Sequence, residues 1–306
     1  MKEHVPFRVR PMLATLVAEP FHQPGWVYEE KYNGIRILAY KDGDRVSLIS
    51  RNGIDRTASY PGVVGAIQEL SPRTLALDGE VVAFDGHRVS RFQLLQTGSV
   101  EPKYAVFDCL YKDGKDLRKD TLAQRRSELE KVLGKSAAIL LSARLAEDGL
   151  RAYEIAKSKG YEGVLAKNET ASYVEGRSNQ WLKLKVHQED EFLIVGYTAP
   201  AGTREHFGAL LLAAYDKGTL RYAGKVGTGF SRGMLAELYQ RFRPLVRATP
   251  AVVDPPRDKN VTYIEPKLVA QIAYAELTDD LKLRQPVFLG LRDDKRPRDV
   301  QFPRST

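Results

Sequence analysis

The sequence predicts an α+β chain in two parts, the first mixing strands with helices and the second forming a small β-barrel. Three observations carry this. The chain has 306 residues, enough for two domains of ordinary size. Up to about residue 187, short β-rich runs alternate with amphipathic helical stretches. From Glu189 the texture changes to short β segments, Phe192 to Tyr197, Ala209 to Tyr215, Leu220 to Val226 and Val269 to Glu276, with one helical stretch at Arg232 to Phe242 and a proline-rich connection around Pro250 to Pro256. Several short strands with a single helix suit a small barrel, and an OB fold is the expected form. The boundary is expected near Val186 to Glu191, giving parts of residues 1–187 and 188–306.

Composition narrows the function classes. A hydrophobic content of 43% supports a proper core. The single cysteine, Cys109, lies inside the apolar run Tyr104 to Tyr111, which excludes a disulfide framework and a thiolate metal site. Met1 to Arg10 is charged and lacks an apolar h-region, and no segment approaches the ~18 apolar residues that a membrane span needs. The expectation is a soluble protein of a reducing cytoplasm. A net charge of +8, spread along the chain, is compatible with a polyanionic partner without establishing one.

In chain order, Trp26 to Lys31, Ile35 to Tyr40 and Val46 to Ser50 read as strands, and Asn33-Gly34 and Asp42-Gly43-Asp44 as hairpin turns between them. Lys31 sits between carboxylates and a glycine turn, with Arg36 close behind. A lysine becomes a nucleophile only by losing its proton, and its ordinary pKa of about 10.4 demands cationic neighbours or a dry pocket. Gly34 is read as clearing room for a phosphate or sugar. Pro61 to Leu70 reads as a helix with proline in its first turn. In the strand Leu75 to Phe84, Asp78 and Glu80 share a face, an expensive arrangement without cations or metal. Thr121 to Leu133 and Asp148 to Lys159 are helices, Thr121 and Gln124 forming a capping box, with Gly134 and Gly160 as stops. In Trp181 to Lys185, Lys183 and Lys185 project from one face. Taken singly, these features also fit a half-exposed edge strand, a surface cation at Arg51, a bulge at Asp78-Gly79 and a solvated tail at Arg292 to Lys295.

Their order is more specific than any one of them. Lys-x-Asn-Gly-x-Arg at Lys31, Ser-Arg-Asn-Gly at Ser50, Asp-Gly-Glu at Asp78, Phe-Asp at Phe107, Glu-Gly-Val-Leu-Ala-Lys at Glu162, Trp-Leu-Lys-Leu-Lys at Trp181 and Arg-Asp-Asp-Lys at Arg292 resemble the collinear motifs of the covalent nucleotidyltransferases. Within them, the lead-in Pro11-Met12-Leu13-Ala14, Tyr173 to Lys185 and Phe288 to Lys295 resemble the bacterial ligase D type of ATP-dependent DNA ligase, over about Pro11 to Lys295.

The resemblance implies an antiparallel-sheet adenylation domain followed by an OB domain, and sealing of 3′-hydroxyl/5′-phosphate nicks through a lysyl-AMP intermediate in repair or end joining. It assigns AMP to Lys31, the adenine amine to Glu29 and base stacking to Phe107. Arg36 and Glu80 would hold the ribose and neighbouring groups, with Glu80 and Glu162 in the shell of Mg²⁺ or Mn²⁺. Arg51 would meet the nick 5′-phosphate, Lys183 and Lys185 the α-phosphate, and Arg292, Asp294 and Lys295 the departing pyrophosphate. Nicked duplex DNA is the implied partner, with the end-binding protein Ku by analogy. The implied enzyme is a monomer of the bacterial cytosol, either a free-standing ligase or an excised domain.

Asn33 departs from the Lys-x-Asp-Gly pattern. It keeps one acceptor oxygen, loses a charge and gains a donor, and a natural feature, an altered substrate preference and an engineered change all remain open. An RNA ligase or RNA-capping enzyme is the nearest enzymatic rival, and a non-catalytic OB-type nucleic-acid-binding module the rival from another class.

Overall fold

The computed structural model describes residues 5–134, 136–186, 188–200, 205–258 and 260–303. They fall into two compact units with the break after Val186. Among the described residues no helix is long and apolar enough to cross a membrane.

The first unit holds strands β1 (Met12–Leu16), β2 (Trp26–Lys31), β3 (Ile35–Asp42), β4 (Arg45–Ser50), β5 (Thr74–Val82), β6 (Lys103–Lys112), β7 (Lys115–Asp116), β8 (Ile139–Leu141), β9 (Arg144–Ala146), β10 (Gly163–Asn168) and β11 (Gly176–Lys185), with helices α1 (Pro61–Gln68), α2 (Phe92–Thr97), α3 (Leu122–Val132) and α4 (Gly149–Lys159). They build two sheets, one in the order β1-β11-β10-β2-β9 and one in the order β4-β3-β5-β6-β7 with β8 on β6. Pairing is antiparallel apart from β1 with β11 and β6 with β8.

Three apolar clusters hold these layers together. Met12 and Trp181 of the first sheet meet Leu38, Tyr40, Ala76, Phe107 and Tyr111 of the second. On the far side of the first sheet, Tyr28, Val164 and Leu184 pack with Ala152 and Ala156 of α4. On the second, Ile37, Ala39 and Val106 pack with Val63 and Ile67 of α1 and Leu129 and Val132 of α3.

Local signals behave as the sequence requires in most places. Thr121 and Gln124 form the reciprocal capping box, Asp148 caps α4 and Gly160 ends it in the left-handed region at φ 70°. Helix α3 ends one residue short of Gly134, on an extended Leu133. Asp42-Gly43-Asp44 is a hairpin joining β3 to β4. Asn33-Gly34 is not: β2 and β3 belong to different sheets, so the dipeptide is a crossing from one to the other. The reason for glycine also differs from expectation. A Cβ on Gly34 would lie 2.2 Å from the carbonyl oxygen of Val81, so the close approach is to β5 of the same chain. The ladder of β5 with β6 slips between Asp78 and Gly79, the bulge that this dipeptide suggests.

The second unit holds β12 (Gln188–Thr198), β13 (Leu210–Asp216), β14 (Thr219–Val226), α5 (Arg232–Phe242), β15 (Val246–Arg247), β16 (Val261–Tyr274), β17 (Glu276–Leu277), β18 (Leu283–Arg284) and β19 (Val287–Leu291). Its main sheet runs β14-β13-β12-β16-β15 with β19 also on β16, and β17 pairs with β18. The core gathers Phe192, Ile194, Leu212, Leu238, Phe242, Ile264 and Phe288 around it. The fold is OB-like, but among the described residues the strands do not close into the expected barrel. The free side of β14 is occupied by loops: Val253 N–H donates to Leu220 O, Tyr222 N–H to Asp254 Oδ1 at 2.8 Å, and Lys282 Nζ to Tyr222 O at 2.5 Å. An edge satisfied this way needs no further strand.

Candidate active site

Strand β2 carries Lys31 as its last residue. Alternation sends Glu29 and Lys31 to one face and Tyr28 and Glu30 to the other; Tyr28 packs towards α4, so Glu29 and Lys31 face the second sheet. Register extends this face across three strands. Lys31 is opposite Gly163, and Gly163 opposite Lys185; Glu29 is opposite Leu165, and Leu165 opposite Lys183; Lys167 is opposite Trp181. Residues in register share a face, which therefore collects Glu29, Lys31, Lys167, Lys183 and Lys185.

Lys31 Nζ donates to Glu162 Oε1, and both side chains are mostly buried. Gly163 is required beside them, because its Cβ would sit 2.0 Å from Leu184 O. Behind the strand, Glu30 is buried with one carboxyl oxygen lacking a hydrogen-bond partner. Burial pushes its pKa up to about 8, against the pull of Lys159.

Glu29 takes side-chain donors from three different elements. Arg126 Nη1 donates to its Oε1 at 3.0 Å, and Lys167 Nζ and Ser142 Oγ donate to its Oε2 at 2.7 and 3.1 Å. Arg126 Nη2 also donates to Ser142 O. Complete burial pushes the Lys167 ammonium down, against Glu29 and Asp108. The same ammonium lies 4.3 Å from the ring centre of Phe107 and 4.5 Å from that of Trp181. Arg36 lies over the same rings at 5.0 and 5.4 Å. Phe107 is only 2% exposed, so a base can stack on it only when neighbouring side chains turn aside.

On the second sheet, Arg36 makes a two-pronged contact with Asp78, at 2.9 and 2.6 Å, and Tyr173 Oη donates to Asp78 Oδ2 at 2.6 Å. Asp78 is thus the arginine's anchor. Glu80 Oε1 accepts from Gly34 N–H at 2.9 Å, and Asn33 N–H donates to Ser90 Oγ at 2.9 Å; both bonds fix the turn that follows Lys31. Arg51 is exposed and its N–H donates to Arg36 O. Among the described residues no group of three or more His, Cys, Asp or Glu could hold a metal. The carboxylates of Glu80 and Glu162 fit a Mg²⁺-type ion that takes its remaining ligands from phosphates and water.

In the second unit, Arg292 donates from Nε and Nη2 to both oxygens of Asp294 at 2.8 Å, and from Nη1 to Gln271 Oε1 at 3.0 Å. Lys295 Nζ lies 2.7 Å from Glu191 Oε1. Burial raises the Asp294 carboxyl, but the Arg292 hydrogen bonds and charge, with Lys295, outweigh it and hold the group below the usual carboxylate range. Arg292, Asp294 and Lys295 are a built ion cluster and not a solvated tail.

Residues 11–185 match a sequence profile described as ATP dependent DNA ligase domain, and residues 203–295 one described as ATP dependent DNA ligase C terminal region. The chain belongs to the ATP-dependent DNA ligase family. It is 40% identical over 312 residues to the multifunctional non-homologous end joining protein LigD of Pseudomonas aeruginosa, covering 98% of this chain and 37% of that protein. A DNA ligase of Thermococcus fumicolans is 34% identical over 326 residues, covering 95% of this chain and 57% of that one. Among solved structures, a mycobacterial DNA ligase D complexed with ATP and MES superposes with a TM-score of 0.71 at 33% identity, covering 95% of this chain and 97% of the other. The chain spans well under half the length of its LigD relatives.

Against this family background, the structure brings Lys31, Glu29, Lys183 and Lys185 onto one sheet face, sets Glu162 against Lys31 and ties Glu80 to the turn after Lys31. It adds residues that reading the sequence does not single out as site members: Arg126, Ser142, Lys167, Asp78 and Tyr173. Period-two alternation puts Trp181 on the face of Lys183, and the pairing of Trp181 with Lys167 brings Lys167 to it. Nothing local marks Arg126 or Ser142.

Proposed function

We propose that this ligase seals 3′-hydroxyl/5′-phosphate nicks in duplex DNA through a covalent AMP on Lys31. The observation that carries the reading is Lys31 Nζ held on Glu162, on a face that also bears Lys183 and Lys185. The neutral amine of Lys31, its proton released to water, attacks the α-phosphorus of ATP as the bond to pyrophosphate breaks. Lys183 and Lys185 meet the charge on the α-phosphate, and their field favours the neutral form of Lys31. Mg²⁺ or Mn²⁺, held by Glu80 or Glu162 together with phosphate oxygens, would neutralise the triphosphate. Arg36, anchored by Asp78, and Glu80 hold the ribose side, Glu29 meets the base amine, and Phe107 stacks on the base once side chains covering it turn aside. Arg292, Asp294 and Lys295 orient the pyrophosphate for in-line departure. Arg51 receives the 5′-phosphate of the nick, AMP passes to it, and the 3′-hydroxyl then displaces AMP. The names of the LigD relatives favour end joining as the setting, with Ku as a partner of that pathway.

The test is incubation with ATP and Mg²⁺ followed by peptide mapping. AMP is expected on Lys31 and absent from Lys31→Ala, and the wild type is expected to join a nicked duplex. AMP on Lys167 or Lys183, or no adduct, overturns the assignment.

A further inference from the structure

Three elements close a triangle around Glu29. Arg126 on α3 reaches Glu29 Oε1 and the carbonyl of Ser142, and Ser142, between β8 and β9, returns its hydroxyl to Glu29 Oε2. Glu29 and Ser142 are buried, and Arg126 nearly so. A carboxylate whose two oxygens are tied to different elements cannot rotate. Two cationic side chains, Arg126 and Lys167, contact it. Among the described residues three donors fill three of its roughly four lone-pair positions, and the position left lies on Oε1, beside Arg126. The Lys167 ammonium that contacts Glu29 also lies over Phe107, so the acceptor and the aromatic ring are joined by one side chain.

We propose that Arg126 and Ser142 are positioning residues for base selectivity: they lock Glu29 as an acceptor for an exocyclic amine and keep Lys167 occupied as its counter-ion. The inference rests on the reading above, in which Glu29 meets the nucleotide base. A fixed acceptor takes the 6-amino group of adenine and opposes the 6-oxo group of guanine, acceptor against acceptor. A site built for one hydrogen bond rejects the analogue that cannot make it. If the triangle opens, Glu29 can swing off and the Lys167 ammonium becomes a donor that suits the guanine oxygen. Selectivity therefore depends on two residues that never touch the base.

The experiment compares kcat/KM for covalent labelling of the full chain by ATP and by GTP, with CD and melting curves confirming folded protein. Ser142→Ala removes one hydroxyl and is expected to lower the ATP-to-GTP ratio about tenfold, the worth of one hydrogen bond to a charged group, mainly through a higher KM for ATP. Arg126→Gln should lower it further, and Arg126→Lys should restore part of it. A merely structural role would slow both nucleotides alike and leave the ratio unchanged. Should Arg126→Gln fail to fold, Ser142→Ala decides alone. An unchanged ratio in Ser142→Ala, beside a collapsed one in Glu29→Gln, overturns the positioning role. A wild type that takes ATP and GTP equally, or a Glu29→Gln that keeps the wild-type preference, overturns the reading of Glu29 itself.

Discussion

Glu29 in the first unit draws its partners from 97, 113 and 138 residues away, whereas Arg292 in the second finds its two-pronged partner Asp294 two residues on, with Gln271 21 residues back and Glu191 of β12 at 4.0 Å. Both are buried arginine–carboxylate clusters of similar chemistry. The first joins β2, α3, the β8–β9 turn and β10, so its integrity reports on the whole unit. The second is centred on one turn after β19 and is tied from there to Gln271 on β16 and Glu191 on β12. The first is assembled wholly from distant elements, whereas the second has its two-pronged pair within two residues.

The largest expected effect comes from breaking the local cluster. Arg292→Ala leaves Asp294, 5% exposed, as a buried charge without its arginine, a defect that costs on the order of 3–5 kcal/mol. Self-adenylation should be lost, while a nick already carrying 5′-AMP should still be sealed at much of the wild-type rate. Single-turnover sealing of that pre-adenylated nick decides the matter: equal damage to both steps would make the cluster structural or DNA-binding.

The next effect is a pH dependence on the back of the long-range site. Glu30 has its folded pKa raised, to about 8, so the folded chain binds more protons than the unfolded chain between the ordinary glutamate value and about pH 8. Stability contributed through Glu30 is therefore undiminished at low pH and falls as pH rises through that window. Glu30→Gln should melt near the wild-type temperature at pH 5 and above it at pH 9. Parallel melting curves at both pH values would disprove the assignment.

The smallest effect tests the crossing after Lys31. Asn33→Asp adds a carboxylate near the lysine and should speed sealing of a nicked duplex several-fold in single-turnover assays. Equal or slower sealing would show that asparagine is tuned to this site.

Sequence periodicity placed the strands and helices well where neighbours along the chain decide them, as with the Thr121 capping box, the β3–β4 hairpin and α5. It misjudged Asn33-Gly34, because a turn dipeptide reports a change of direction and not which strand waits on the other side. Lys31 and Glu162 could be singled out from motif order, but their contact is fixed by the pairing of β2 with β10. Arg126 is one of two adjacent arginines on α3, and only the packing of the helix decides that it meets Glu29 while Arg125 meets Asp108. The barrel expected of the second unit failed to close for the same reason: Val253, Asp254 and Lys282 cover the edge of β14, and none lies in a strand.

The pairing of β2 also governs how the molecule comes together in time. Strand β2 leaves the ribosome well before Glu162, the partner of Lys31, which is 131 residues downstream, and β1 pairs with the still later β11. Sheets closed by such distant partners form slowly, since the loop between them must be ordered first. Strand β2 is thus made well before its two neighbours, β9 and β10, and until they arrive its hydrogen-bonding edges are open to other strands. Chaperone dependence and aggregation during synthesis should track the emergence of residues 163–185 more closely than any feature around Lys31 itself.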